Sequence, residues 1–253
     1  MKKIIKVFPI ILMLFMVVFI SGCGKELGGI QKDYNIDKKI TGEEIKKNDL
    51  FSTLLKSVSE FKKTYYGHIL LNIQYGNETD TSELMFNFEG NQIKDWKFYI
   101  NIDANDLKTE MFLLDGYAYT KVKINGETHK EKSNIEDDLK GTVEQTKEKL
   151  LLECLNLISL EDINDKSFYI ELYQNITNYY EDVEEHQVKA VIDSKSNLVI
   201  DYYDKDSGRV VFNQNNKVIY LASQNKQSLK EIIFNYEQPK FNFPSTKGYK
   251  EAK

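Results

Sequence analysis

Residues 68–103 decide the fold and read HILLNIQYGNETDTSELMFNFEGNQIKDWKFYINID. Apolar and polar side chains alternate in three consecutive runs, at 68–75, 83–89 and 96–103. A period of two is typical of strands that bury one face and expose the other. Gly76-Asn77 and Gly90-Asn91 interrupt the alternation and favour turns. The stretch therefore predicts three neighbouring strands of an antiparallel sheet with one apolar face.

The alternation continues on both sides of an interruption in the middle of the chain. Two further strands are predicted at 107–114 and 117–124, joined by the hairpin turn Asp115-Gly116. Five more short strands are expected between residue 186 and Tyr236. Phe241–Phe243 is expected to add an edge strand between two prolines. The total is about ten or eleven strands, joined largely by tight turns.

Helical patterns flank and interrupt the strands. Before the first strand, apolar side chains recur at steps of three and four residues, at Leu50, Leu54, Val58 and Phe61. This predicts a helix that begins near Thr41 or Asn48 and ends near Lys63. A second helix is predicted over 142–158, while 168–180 fits a short helix or an irregular cover. The expected fold class is α+β: a curved antiparallel sheet closed by an N-terminal helix and one or two central helices.

The first 22 residues have the composition of a secretion signal. Lys2, Lys3 and Lys6 precede an apolar run from Val7 to Ile20. That run is shorter than the roughly 20 apolar residues that a membrane-spanning helix needs. The mature chain is therefore expected outside the cytoplasm.

The end of this signal, Ile20-Ser21-Gly22-Cys23, resembles the bacterial lipobox, although Ile20 stands where that family most often has Leu. The resemblance implies that Cys23 receives a diacylglyceryl group, the only cofactor expected, and becomes the new N-terminus. It divides the chain into a signal peptide at 1–22, a lipidated flexible tether at 23–42 and one domain at 43–248. The expected location is the extracytoplasmic face of the cell membrane. An ordinary signal peptide that happens to end in Cys is the alternative.

Composition and motifs exclude several classes of function. The chain has 34 Lys and Arg against 39 Asp and Glu, a net charge of −5; removal of the signal's three lysines leaves −8. An acidic domain is a poor candidate for binding nucleic acid. His68, His129 and His186 are isolated, and Cys154 is the only cysteine besides Cys23, so neither a metal site nor an enzyme is expected. One class of enzyme stays open, because a hydrolase with two catalytic carboxylates far apart in the sequence leaves no local motif.

The order of elements resembles the LolA/LolB-like lipoprotein-carrier fold, which mycobacterial lipid-binding lipoproteins share. The stretches LLDGYAY at 113–119 and FNYEQPKFNFP at 234–244 are similar to hairpin and closing-strand patterns frequent in that family. The resemblance covers about residues 45–245. It implies an incomplete barrel whose apolar hollow holds acyl chains.

The residues expected to line this hollow alternate along the first three strands or lie on the first helix: Leu71, Ile73, Phe86, Phe88, Trp96, Phe98, Ile100, Leu54 and Val58. The expected function is binding or shuttling of an acyl chain by a membrane-anchored lipoprotein. Two alternatives stay open. These side chains could simply pack against the helix, or the scaffold could hold an envelope or sporulation protein as its partner, with a plugged cavity.

Overall fold

The computed structural model describes residues 27, 29–45, 50, 52–53, 56, 64–104, 107–135, 142–160, 174, 187–203 and 207–252. The described helices are α1 (Ile30–Tyr34) and α2 (Val143–Leu157), with a 3-10 turn at Ile93–Asp95. The strands are β1 (Glu43–Glu44), β2 (Tyr66–Tyr75), β3 (Glu78–Asn87), β4 (Lys97–Ala104), β5 (Leu107–Leu114), β6 (Tyr117–Ile124), β7 (Glu127–Asn134), β8 (Gln187–Ile192), β9 (Leu198–Tyr203), β10 (Ser207–Phe212), β11 (Val218–Gln224), β12 (Ser228–Asn235) and β13 (Lys250–Glu251).

These strands form one open sheet in the order β1-β8-β9-β10-β11-β12-β2-β3-β4-β5-β6-β7-β13. Two meanders, β2–β7 and β8–β12, meet where β12 pairs with β2. Neighbours are antiparallel, except that β13 runs parallel to β7. The prediction of a large antiparallel sheet is confirmed, and its strand number agrees with the long strands β2–β12. The sequence analysis missed β7, whose residues ETHKEKSN are polar on both faces.

The sheet is curved around helix α2. One apolar cluster contains Ala190 of β8, residues of α2 and, at its margin, Ala118 of β6. A flat sheet would place those two strands roughly 43 Å apart at ~4.8 Å per strand. A 15-residue helix is only about 22 Å long, so α2 alone does not span this width. We call the face that carries this cluster the inner face, and the opposite one the outer face.

Helix α2 forms where the sequence predicts it. Thr142 is its N-cap: the Gln145 amide donates to Thr142 Oγ1 at 3.3 Å, and the Thr142 amide donates to Gln145 Oε1 at 3.1 Å. This reciprocal pair satisfies two amides that a helix start leaves unpaired. The buried residues of its second half, which include Cys154 and Leu155, belong to the inner cluster. The helix thus covers part of the inner face.

The predicted N-terminal helix is only partly within the described residues. Leu50, Ser52, Thr53 and Lys56 are helical, and Leu50 is fully buried in the inner cluster. Thr41 is not its cap, because Glu43 and Glu44 form β1 and pair with Ile192 and Val191. Leu54 and Val58 lie outside the described residues, as does the segment 168–180 apart from Gln174. Closure of the sheet by this helix therefore stays a prediction.

Residues 29–40, expected to be flexible tether, lie packed on the outer face. We call them the N-terminal strap. Tyr34, Ile36 and Ile40 of the strap are buried, together with Leu27 just before it, against the apolar outer face of β8–β12 and β2. Their spacing follows neither a helical nor a strand period, so no periodic signal predicted it. Residues 29–40 are therefore not the flexible tether that the sequence indicated.

The chain's C-terminal residues cover the other half of the outer face. Phe241–Phe243 is not the predicted edge strand, because it lacks strand pairing and lies across the sheet. The Phe243 ring packs on Phe112 at 5.5 Å, and Tyr249 meets Tyr119 edge-on at 5.3 Å. The edge is closed instead by β13. Short terminal strands therefore cover both outermost long strands, β8 and β7, which limits edge-to-edge association.

Candidate functional site: the inner face of the sheet

The register of β2, β3 and β4 brings the described candidate residues together on the inner face. Phe86 pairs with Phe98, Leu84 pairs with Ile100, and directly opposed residues project to the same face. All seven described candidates belong to the inner cluster or pack against it: Leu71, Ile73, Phe86, Phe88, Trp96, Phe98 and Ile100. Leu54 and Val58 lie outside the described residues. The sequence pattern therefore identified a shared face correctly.

One end of this face is filled by aromatic side chains. The rings of Phe86 and Phe88 lie 5.6 Å apart, and Trp96 meets Phe88 edge-on at 6.2 Å. Trp96 Nε1 donates to the Gly90 carbonyl at 3.2 Å, so its polar atom is satisfied. The Lys147 ammonium of α2 lies 5.9 Å from the Trp96 ring, which adds a cation–π contact. We call this region the aromatic end.

The aromatic end has the exposure of a packed core. Phe86, Phe88 and Trp96 are each 1 % exposed, and Ile100 is 0 % exposed. Residues that line an open hollow would keep surface accessible to solvent. At these four positions the side chains therefore pack as core, the alternative that the sequence analysis left open. These four residues therefore leave no room for a ligand where they lie.

At the opposite end of the strands, the inner face changes character. Successive register pairs place six residues side by side across β9, β10, β11, β12, β2 and β3: Tyr202, Gly208, Ser223, Lys230, Ile73 and Asp80. We call them the distal row. Ile73, Lys230 and Asp80 are only partly buried, whereas Ile100 near the middle of β4 is fully buried. The inner face thus passes from an aromatic, closed end to a mixed apolar and charged end.

Gly208 lies under the Tyr202 ring in the distal row. A Cβ atom built there would lie 1.9 Å from the Tyr202 ring, so the ring covers the glycine backbone. When an aromatic ring on the neighbouring strand packs over a glycine, it supplies a contact that the glycine cannot make and stabilises the strand pair. The packing fixes Tyr202 at this end of the inner face.

The sequence analysis did not identify Lys230, Asp80 or Tyr202 as site residues. Lys230 and Ile73 are opposed across β12 and β2, although they are distant in sequence. They become neighbours only through the register of β12 against β2, the pair of strands that joins the two meanders. Of the adjacent residues Tyr202 and Tyr203, only one can join the site, since adjacent strand residues face opposite sides.

Among the described residues, the His and Cys side chains do not form a shared reactive centre. His68 Nε2 lies 2.9 Å from Glu83 Oε1 on the outer face, and His129 is exposed in β7. His186 lies outside the described residues. Burial raises the pKa of the Cys154 thiol, which disfavours the reactive thiolate. Among the residues that the structure describes, no three His, Cys, Asp or Glu side chains are grouped to hold a metal ion.

Helices of the described ranges are also too short or too polar to cross a membrane.

Comparison with known proteins gives structural matches only. No family model matches the sequence, and no curated protein matches it. Similar solved structures include LprF from Mycobacterium bovis, with 10% identity and a TM-score of 0.38 over 81% of this chain and 99% of that one. The Mycobacterium tuberculosis lipoprotein LppX has 10% identity and a TM-score of 0.39 over 77% of this chain and 98% of its own.

A LolA superfamily protein from Nitrosomonas europaea has 8% identity and a TM-score of 0.26, over 73% of this chain and 90% of that one.

Proposed function

We propose that this protein is a lipid-anchored lipoprotein of the extracytoplasmic membrane face that binds an acyl chain on the inner face of its sheet. The observation that supports this most strongly is the gradient along that face. One apolar cluster extends from the buried aromatic end to the distal row, where the partly buried Ile73 lies between Lys230 and Asp80. An acyl lipid has the same arrangement, because an apolar chain is joined at one end to a polar headgroup.

The distal row is the proposed site of the headgroup. Lys230 and Asp80 flank Ile73 on the neighbouring strands and are only partly buried, so both can contact solvent and a polar group. A lysine ammonium suits a carboxylate or phosphate. The acyl chain would extend from Ile73 towards the buried middle of the face. Phe86, Phe88 and Trp96 would then form the closed end that limits its length.

The free energy of transfer favours a protein that carries or senses a lipid over one that binds it with high net affinity. Burial of some 14 methylenes stabilises an acyl chain by about 11 kcal/mol relative to water. A chain in a bilayer already has that benefit, so transfer into the protein is nearly balanced. Small differences in fit and headgroup contact therefore decide the direction of transfer.

Packing at the start of the N-terminal strap limits the distance between the lipid anchor and the sheet. Leu27 is buried against the outer face, and only four Cα–Cα steps separate it from Cys23. Such a stretch spans at most about 15 Å. A lipid on Cys23 would accordingly hold the sheet next to the membrane, within reach of the lipids that it exchanges.

Protein binding on the same scaffold remains the second candidate. The complete burial at the aromatic end favours a filled interior, and Leu152 offers an exposed apolar side chain on α2, with 39% of its area accessible. The outermost long strands are covered by β1 and β13, so a partner would contact α2 and not a sheet edge. Loss of partner capture in Leu152→Ser, with acyl binding absent in the parent protein, would favour this function.

Binding of cis-parinaric acid, a fluorescent fatty acid, tests the acyl site. Ile73→Trp fills the distal row and is expected to weaken binding about tenfold, or ~1.4 kcal/mol. Gln74→Trp is the matched control, since it places the same ring on the adjacent residue, which faces outward. Absence of saturable binding to the parent protein, or equal losses in both variants, would contradict the proposal.

A further inference from the structure

A second recess lies on the outer face, between the N-terminal strap and strands β12, β2 and β3. Its volume is about 450 Å³, and polar or charged side chains form most of its wall: Gln31, Lys32, Asn35, Asn72, Gln74, Thr79 and Glu231. At ~30 Å³ per water molecule, this volume equals about fifteen waters and admits a molecule of the size of a sugar. The recess lies on the opposite face from the proposed acyl site.

Glu231 is a buried carboxylate held by neutral donors. It is 4 % exposed, and its two oxygens accept from Gln31 Nε2 at 2.5 Å and from the Tyr220 hydroxyl at 2.5 Å. Burial and this carboxylate raise the pKa of Tyr220, so the hydroxyl remains a donor at neutral pH. Each carboxylate oxygen has a further lone pair that can accept from a ligand.

Asn72 lies beside Glu231 on the adjacent strand and has an unused donor. The residue is 4 % exposed, and its Oδ1 accepts from Thr81 Oγ1 at 3.4 Å. Its Nδ2 is buried and has no hydrogen-bond partner among the described residues. Buried amide groups are almost always hydrogen-bonded, and an exception calls for an unseen partner. Because Asn72 forms part of the wall of the recess, a ligand there is placed to supply it.

The two groups together restrict the chemistry of that ligand. Asn72 Nδ2 requires an acceptor, which a metal cation does not provide. Glu231 can accept further hydrogen bonds, and the opposite charges of Glu231 and Lys32 at the wall favour a ligand without net charge. A neutral compound with adjacent hydroxyl groups satisfies both, since each hydroxyl donates and accepts. Leu229 adds an apolar contact at the wall, suited to the C–H face of a sugar ring. We propose that this recess binds a neutral polyhydroxylated ligand of the sugar class.

Side-chain amide resonances of the full-length, ¹⁵N-labelled protein in a detergent without sugar groups test the proposal. D-glucose and N-acetyl-D-glucosamine serve as probes, with calcium chloride and sodium phosphate in parallel. At least one sugar is expected to shift the Asn72 and Gln31 amides saturably. Asn72→Leu should weaken its binding about fivefold or more, as should Gln31→Ala.

Asn215→Ala is the matched control, because it removes an exposed amide from a distant turn and should leave the affinity unchanged. Asn72→Leu removes an unsatisfied buried donor, so the variant is expected to fold, and Gln31→Ala tests the same recess from the strap. Shifts produced by calcium or phosphate and not by either sugar would overturn the proposal. So would the absence of saturable shifts with both sugars.

Discussion

Arg209 and Asp201 form a two-pronged ion pair on neighbouring strands of the outer face, with Nε–Oδ1 at 2.5 Å and Nη2–Oδ2 at 2.9 Å. Arg209 is the only arginine in the chain and is 1 % exposed. Its guanidinium also donates to the backbone carbonyls of Asn35 and Lys38 at 2.5 and 2.9 Å. A lysine could not reach all of these acceptors, because it lacks the planar fork of donors. The pair therefore attaches the N-terminal strap to the sheet.

We expect Arg209→Met to destabilise the protein by about 3–5 kcal/mol, because it leaves the buried Asp201 carboxylate and the strap carbonyls without a partner. The free energy of unfolding in urea measures the loss. Amide hydrogen exchange in residues 29–40 should rise at the same time. Lys108→Ala is the control: it breaks an exposed pair with Asp103 and should cost less than ~1 kcal/mol. Equal stability of Arg209→Met and the parent would contradict this function of Arg209.

Thr142→Ala should cost about 1 kcal/mol, since it removes the side-chain cap of α2 and leaves the Gln145 amide unpaired. The midpoint of chemical unfolding gives the change. Thr128→Ala, on an exposed position of β7, provides a threonine deletion without a cap. Equal unfolding midpoints for Thr142→Ala and Thr128→Ala would show that the cap contributes nothing to stability.

Cys154 should be almost unreactive in the folded protein. Burial raises its pKa, so the thiolate is scarce between pH 7 and 9, where an exposed thiol with a pKa of about 8.5 ionises. In a Cys23→Ser background, iodoacetamide should label it roughly 100-fold more slowly than in urea. Rapid labelling that increases with pH in the folded state would show that α2 does not seal this part of the inner face.

Gly208→Ala should destabilise the protein by about 1–3 kcal/mol, because the new methyl group overlaps the Tyr202 ring. A double-mutant cycle separates the cause. In a Tyr202→Ala background the ring is absent, so the same glycine substitution should cost much less. If the cost of Gly208→Ala is the same in both backgrounds, the overlap with Tyr202 does not explain the glycine.

The sequence predicted the elements whose pattern is local. Alternation in β2–β6 and the apolar spacing of α2 each follow from neighbouring residues, so these elements were predicted near their observed positions. The strap and the C-terminal segment were missed because they bury irregularly spaced side chains against distant strands. Arg209 was a usable signal: a single arginine among 33 lysines suggests a place that needs its geometry.

The candidate site was predicted only in part, because it also depends on contacts between residues that are distant in sequence. Alternation placed Leu71, Phe86 and Ile100 on a shared face, but it could not tell the packed aromatic end from the distal row. That difference depends on which residues α2 and the neighbouring strands cover. The pairing of Lys230 with Ile73 depends on the contact between the two meanders, which no local pattern encodes.

Native mass spectrometry of the full-length protein, extracted from cell membranes, tests the central claim most directly. Collisional activation distinguishes the lipids, since a covalent diacylglyceryl group at Cys23 stays on the chain while a bound lipid is released. We predict one releasable acyl lipid per chain in the parent protein and in Gln74→Trp, and its loss in Ile73→Trp. A parent protein that carries no releasable lipid would contradict the claim that the inner face binds an acyl chain.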